Sequence, residues 1–263
     1  MVSDGNVRAM LALDDPRWST LQHAYGPARD TPEHLRALSA APPGRDGAIW
    51  AALASSLLHQ GGLYPATYAA VPHLAALLPG AQLERQWTIL DFLSPVFRRS
   101  PREEHDFRAI ARDLRPFVID VVRRAEPERV AHLVMLFVAV HAPSSRSFDL
   151  PDGAELYGAC PSCGRSLELI VEGDDVLENE ALDGSAMTPQ RIVRASRVRN
   201  RIDEARARLA DRDADWDDPF VFAAGAALAE EVHLDELRDN LVALDTVIAC
   251  TRCGTEHRVV EAF

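Results

Sequence analysis

Apolar residues recur at helical spacing through the first half of the chain. In Asp46–Gln60 they fall at Ile49, Trp50, Leu53, Leu57 and Leu58, steps of three and four that put side chains on one helix face. Gly61-Gly62 stops this run and Pro65 can open the next. The same punctuation predicts helices over Thr31–Ala40, Pro65–Leu78, Ala81–Phe97, Pro101–Ala125 and Pro127–His141. Thr31 is placed to cap the first of them, with Pro32 behind it. Pro116 removes a helical donor and is expected to kink or split its helix. The last of the six is apolar almost throughout and is expected to be the most buried. Helix pairs of this length with short Gly/Pro breaks are the signature of an α-solenoid, in which each pair buries its apolar face by stacking on its neighbours.

The pattern changes after Ala142–Gly153, a stretch of turn-forming residues that reads as a linker. Leu167–Glu172, Asp245–Ala249 and Val259–Phe263 read as short strands. Glu172–Asp183 reads as an acidic turn region, Pro189–Ala210 as an Arg-rich helix, and Pro219–Leu244 as one or two apolar helices. The expected organisation is a helical solenoid over 1–145 and a second domain over 146–263, interrupted by a helical insert over about 173–244. The fold class is therefore mainly α, with a small β element.

That β element carries the most specific chemistry in the chain. Cys160-Pro161-Ser162-Cys163-Gly164 and Cys250-Thr251-Arg252-Cys253-Gly254 repeat one C-x-x-C-G pattern, and the chain has no other cysteine. A C-x-x-C turn presents two thiolates from one loop, and two such turns complete the tetrahedral set that zinc favours. A glycine after the second cysteine supplies a backbone conformation that costs other residues energy. With each turn at the tip of a hairpin, the pair forms a zinc-ribbon-like element around a structural zinc. Iron is an alternative occupant of four thiolates. A redox dithiol would instead open a helix after a strand in a βαβ unit, and neither pair is so placed. The first ten residues lack the apolar stretch of a secretory signal, and no run of about 18 apolar residues exists to span a membrane. A cytoplasmic chain with reduced, metal-binding thiols is the expectation.

Charge separates the two halves. All 28 basic residues are arginine, which excludes Schiff-base and P-loop lysine chemistry. Arginines and acids balance over 1–150, so the formal net charge of -12 lies in the remainder. Such a field repels phosphate backbones and suits a basic protein partner.

Two stretches add a resemblance. Trp18-Ser19-Thr20-Leu21-Gln22-His23-Ala24-Tyr25-Gly26-Pro27-Ala28 is followed by Thr31-Pro32 and Leu35. His59-Gln60-Gly61-Gly62-Leu63-Tyr64-Pro65-Ala66-Thr67 continues to Ala70-Val71-Pro72-His73-Leu74. Together with the two C-x-x-C-G turns, they resemble a family of bacterial, mainly actinobacterial, HEAT-repeat-like proteins of uncharacterised function. His73 departs from the apolar residue expected after Val71-Pro72. The resemblance implies a solenoid joined to a zinc-binding end, and it implies no activity.

Outside the cysteines, the candidate partner or ligand contacts are His59, Tyr64, His73, Arg191, Arg194 and Arg201. His59 and Gln60 are also placed to cap a helix end, and His73 to be a satisfied, partly buried histidine. On one continuous helix Arg191, Arg194 and Arg201 share a face, suited to an anion or to the nearby acids. Asp211, Asp213, Asp215, Asp217 and Asp218 surround Trp216 but lack the glycine and terminal glutamate of an EF-hand. The expected function is non-enzymatic: a protein-binding scaffold or inhibitor with a structural four-cysteine zinc. The alternative is a HEAT-like nucleic-acid-binding or DNA-repair-type protein using Arg98, Arg99, Arg102, Arg108, Arg112, Arg115, Arg123 and Arg124.

Overall fold

The computed structural model describes residues 10–99, 108–141, 155–172, 175–178, 190–194, 196–209, 218–250 and 252–262. The expected linker over 142–153 and the aspartates around Trp216, except Asp218, lie outside them. The described residues are mainly helical, with small antiparallel sheets. The chain divides into two compact units, Met1–Arg124 and Ala125–Phe263.

In the first unit a 3-10 turn at Pro16–Ser19 leads into a miniature hairpin, β1 (Gln22–His23) with β2 (Gly26–Pro27). Five helices follow: α1 (Thr31–Ala40), α2 (Gly47–Leu57), α3 (Pro65–Ala75), α4 (Leu83–Arg99) and α5 (Arg108–Arg124). α1 packs on α2 and α3, α3 on α4 and α5, and α4 on α5. Leu38, Leu53, Leu57, Leu74, Ile89, Leu90, Leu93 and Leu114 are fully buried between them. The residue ahead of α1 is Asp30, not Thr31, and its carboxylate accepts from His23 Nε2 at 3.0 Å rather than capping the helix. Helix α5 runs through Pro116 unbroken. Arg85 of α4 donates to the carbonyls of Leu38 and Ala41 at the end of α1.

The second unit begins earlier than 146. A 3-10 turn at Pro127–Arg129 precedes α6 (Ala131–His141), and α6 packs against α8 (Asp218–Glu231). The reason is compositional: Val130 and Leu133–Ala139 are all buried, and a helix buried on nearly all sides needs more than one covering layer. The antiparallel strands β3 (Glu155–Ala159), β4 (Ser166–Glu172), β5 (Asp175–Glu178) and β6 (Gln190–Arg194) form one sheet in that order. After it come α7 (Ser196–Leu209), α8, α9 (Asp235–Leu244) and a two-stranded sheet of β7 (Val247–Ala249) and β8 (Glu256–Arg258). The expected strand over Val259–Phe263 is a 3-10 turn at Val259–Ala262, and the strand lies one step earlier.

The expected insert is thus only partly helical. It begins with two further strands, β5 paired to β4 and β6 to β5, because Val176 and its neighbours continue the antiparallel ladder. The helix expected from Pro189 starts at Ser196. Arg191 and Arg194 therefore lie on β6, and the shared helical face with Arg201 does not form.

Helix α8 occupies the middle of this unit, touching α6, α7 and α9. Alanines keep the helices close: Ala223, Ala224, Ala226, Ala227 and Ala229 are fully buried. At Gly225 a Cβ would lie 2.7 Å from Val138 Cγ2 and 3.2 Å from Leu241 Cδ1. Gly225→Ala is expected to destabilise this unit by about 1–3 kcal/mol through overpacking, despite the better helix propensity of alanine. A urea midpoint equal to or above that of the parent would contradict this packing.

Candidate metal centre

Both C-x-x-C-G turns sit at hairpin tips, as their spacing implies. The first joins β3 to β4 and the second joins β7 to β8. The two turns repeat each other bond for bond. Cys160 N–H donates to the Arg165 carbonyl at 2.8 Å, and Gly164 N–H to the Cys160 carbonyl at 2.9 Å. In the second turn Cys250 N–H donates to Thr255 O at 3.0 Å, and Gly254 N–H to Cys250 O at 2.8 Å. Gly164 and Gly254 have φ of 68° and 71°. A Cβ at either would meet nothing within 4 Å, so glycine is needed for its backbone angle and not for space.

These turns bring the four Sγ atoms within 4.8 Å of one another. Cys160 Sγ lies 3.8 Å from Cys253 Sγ, and Cys163 Sγ lies 3.8 Å from Cys250 Sγ. The four cysteines could hold a metal ion between the two hairpins. Cys160 and Cys250 are buried, and Cys253 is exposed. The Thr255 hydroxyl and amide hold the Cys253 thiol down to about 6, the thiolate form that a metal requires. The Arg165 amide pulls Cys163 down, but burial and the three neighbouring thiols outweigh it and leave that thiol at about 11. His257, on β8 opposite Ile248, is buried and directs Nδ1 to the Arg258 carbonyl at 3.3 Å. It is not a member of the sulfur cluster.

Next to the second turn is a carboxylate that sequence reasoning missed. Asp245 follows α9 and its side chain is 0% exposed. It accepts from Arg258 Nη2 at 2.6 Å and from Arg201 Nη1 at 3.0 Å. Burial pushes its carboxyl up, and the two guanidiniums pull it back. Arg201, a candidate contact, is thus tied to α9 and the base of β7. No local signal in the sequence pairs these three residues, which lie on α7, the end of α9 and β8.

The remaining candidates lie in the first unit, where the two motif stretches fold onto each other. Ala24 N–H donates to Ser56 O at 2.9 Å. His73 Nε2 donates to the Leu11 carbonyl at 2.8 Å, and its ring lies 6.2 Å from that of Trp18. His73 fastens the segment before α1 to α3. His59 is in a 3-10 turn, His59–Gly61, with Nδ1 3.2 Å from the Tyr25 hydroxyl. Tyr64 immediately precedes α3; its N–H donates to Thr67 Oγ1 at 3.1 Å, and that hydroxyl in turn donates to Leu57 O. Of the arginines expected to form a basic face, Arg115 is buried and Arg124 is paired with Asp120 at 2.6 Å. Residues 100–107 lie outside the described structure.

Burial pushes the His73 imidazole below its ordinary value, while its bond to Leu11 pulls it back. Its unfolded pKa of 6.5 then exceeds its folded one, so below 6.5 the unfolded chain takes up more protons. The stability contribution is present above pH 6.5 and is lost as pH falls through the folded pKa. Urea unfolding of the first unit should therefore show a lower midpoint at about pH 5.5 than at about pH 7.5, across the His titration range, and His73→Gln should flatten that dependence. The slope is expected to be a fraction of the roughly 1.4 kcal/mol per pH unit of one fully linked proton, because His73 is only half-buried. An unchanged pH profile in the variant would rule His73 out as its source.

No protein family, curated protein or solved structure matches the chain. Among the described residues no helix is long and apolar enough to cross a membrane.

Proposed function

We propose that the chain is a non-enzymatic binding protein, a scaffold or inhibitor, in which a helical solenoid is joined to a small β element closed by a structural zinc. The observation that carries this reading is the closed sulfur set. Zinc–sulfur bonds of about 2.3 Å fix the edges of a tetrahedron at about 3.8 Å, and both cross-turn Sγ pairs lie at 3.8 Å. Four protein ligands fill a tetrahedral metal and leave no position for a substrate or activated water. The role such an ion supplies is to hold the two hairpins together.

Packing of helices one and two apart in the chain, α1 with α2 and α3, and α3 with α4 and α5, supports the solenoid reading, and with it membership of the HEAT-repeat-like family that the two motif stretches resemble. A solenoid offers an extended surface to a partner. The acidic balance of the second half favours a basic protein and disfavours nucleic acid. The thiol ligands favour a reducing, cytoplasmic setting.

The test is metal analysis and affinity capture on one preparation of the full chain. One zinc per chain with a stoichiometric basic protein supports the proposal. Retained nucleic acid with no protein partner overturns the scaffold reading, and iron in place of zinc overturns the metal assignment.

A further inference from the structure

The four thiols of the metal centre are alike in sequence and unequal in place. The first cysteine of each turn is enclosed, Cys160 at 1% exposure and Cys250 at 2%. Cys163 is half-buried and Cys253 is exposed. Arg252, Gly254 and Thr255 around Cys253 are exposed as well. A small oxidant arriving from water therefore meets the Cys253 sulfur first, and oxidation of a thiol follows its access.

Across the centre, Cys253 faces the sulfur of the other turn's enclosed cysteine, Cys160, at 3.8 Å. A disulfide needs about 2.05 Å, a closure within reach of two short side chains turning toward each other. A bond inside the second turn asks for more. Cys250 and Cys253 belong to a loop fixed by Cys250 N–H on Thr255 O, by Gly254 N–H on Cys250 O and by the left-handed Gly254. Drawing those two thiols together bends that loop, whereas a bond between the turns leaves both loops as they are.

We propose that the centre has a second, covalent closed state, in which a Cys160–Cys253 disulfide ties the two hairpins together after a peroxide has oxidised Cys253. This rests on the metal reading above, with the ion closing the reduced state. In the first step the Cys253 thiolate attacks a peroxide oxygen. The S–O bond forms, the O–O bond breaks, and the departing hydroxide takes a proton and leaves as water. In the second step the Cys160 sulfur attacks the sulfenic sulfur. The S–S bond forms, the S–O bond breaks, and the hydroxide released takes the Cys160 proton and leaves as a second water. Two electrons pass from the thiol pair to the peroxide. The two remaining thiols are too few for a tetrahedral sulfur set, so the metal is given up while the hairpin tips stay joined. Oxidation and chelation then differ: both empty the centre, but only chelation frees the hairpins.

The test uses the full chain, purified reduced and assayed for zinc. Hydrogen peroxide is added with dimedone, which traps sulfenic acid, and in parallel without it. Released zinc is read with a chromogenic chelator, disulfides by mass spectrometry of the alkylated, unreduced digest, and hairpin integrity by limited proteolysis. The expected results are dimedone on Cys253, a peptide linked through Cys160 and Cys253, and loss of bound zinc in step with that link. The oxidised chain should resist cleavage where the chelated, reduced chain is cut, and dithiothreitol with added zinc should restore the starting state. Dimedone first on another cysteine, a Cys250–Cys253 link, zinc retained under excess peroxide, or hairpins cut as readily after oxidation as after chelation would overturn the proposal. A preparation that holds no metal at the outset would overturn the metal reading alone, and the disulfide map of that chain would still decide the covalent state.

Discussion

Cys160→Ser is expected to unfold the β3–β4 and β7–β8 hairpins while α1 to α5 keep their helical structure. The β7–β8 hairpin depends on the ion more than β3–β4, which β5 and β6 extend into a four-stranded sheet. The pairing of β7 with β8 spans three residues on each strand, and an isolated two-stranded hairpin is marginal in water. A structural zinc bound by the four cysteines would contribute about 10–16 kcal/mol, which rivals the whole stability of a domain at about 5–15 kcal/mol. With one ligand replaced by a hydroxyl, most of that is lost. Limited proteolysis should then cut between residues 155 and 172 and after 244, and the purified variant should lose its metal. Prolonged chelation of the parent should give the same fragments. The helices of the first unit share no residue with the site, so their circular dichroism should persist. Retained protease resistance in a metal-free Cys160→Ser protein would show that the hairpins stand without the ion.

Asp245→Ala is expected to cost the second unit about 3–5 kcal/mol, the range for removing one partner of a buried ion pair. The asymmetry between the partners makes the carboxylate the sensitive member. Arg201 is 47% exposed and can turn to water, whereas Asp245 is fully enclosed. Arg258 is mostly covered, with its guanidinium 5.6 Å from the Phe222 ring. Removing the carboxylate leaves that guanidinium partly desolvated beside an aromatic ring and a second cation. Arg201→Met, in contrast, removes a half-exposed partner and should cost no more than about 1 kcal/mol. Urea unfolding of the three proteins with metal bound separates these cases. A loss below about 1 kcal/mol for Asp245→Ala would mean that the triad is an electrostatic bystander.

The features readable from the sequence were those fixed by neighbours in the chain. A C-x-x-C-G turn carries its own hydrogen bonds and its own left-handed glycine, so the four ligands and the two hairpin tips were visible in the spacing. The same holds for α1, α2 and α3, whose limits follow Pro32, Gly61-Gly62 and Pro65. What depends on distant partners was not visible. Gln190–Arg194 has arginines at a helix-compatible spacing, yet it forms β6 because β5 offers a ladder to pair with. Helix α6 follows α5 closely in sequence, but its apolar surface belongs with α8. Asp245 meets Arg201 and Arg258 only after α7, α9 and β8 are in place. Around the turn between α2 and α3, His59 and Tyr64 were legible as candidates. Tyr25, Ser55 and Arg99 join them through contacts spanning 30 or more residues.

The two halves of the metal centre are far apart along the chain, with Cys163 and Cys250 separated by 87 positions. An ion bridging them closes a loop that contains β5, β6 and α7 to α9. In chain-entropy terms, a cross-link over such a loop removes about 4.6 kcal/mol of disorder from the unfolded ensemble. The order of assembly follows. The first turn can form locally, but the second reaches it only when the intervening helices have brought β7 alongside. Metal capture would then be a late, committing step, and until it occurred each half would be a separate dithiol exposed to competing metals and oxidants. The ion would act as a latch on a finished unit, not as a seed around which that unit condenses.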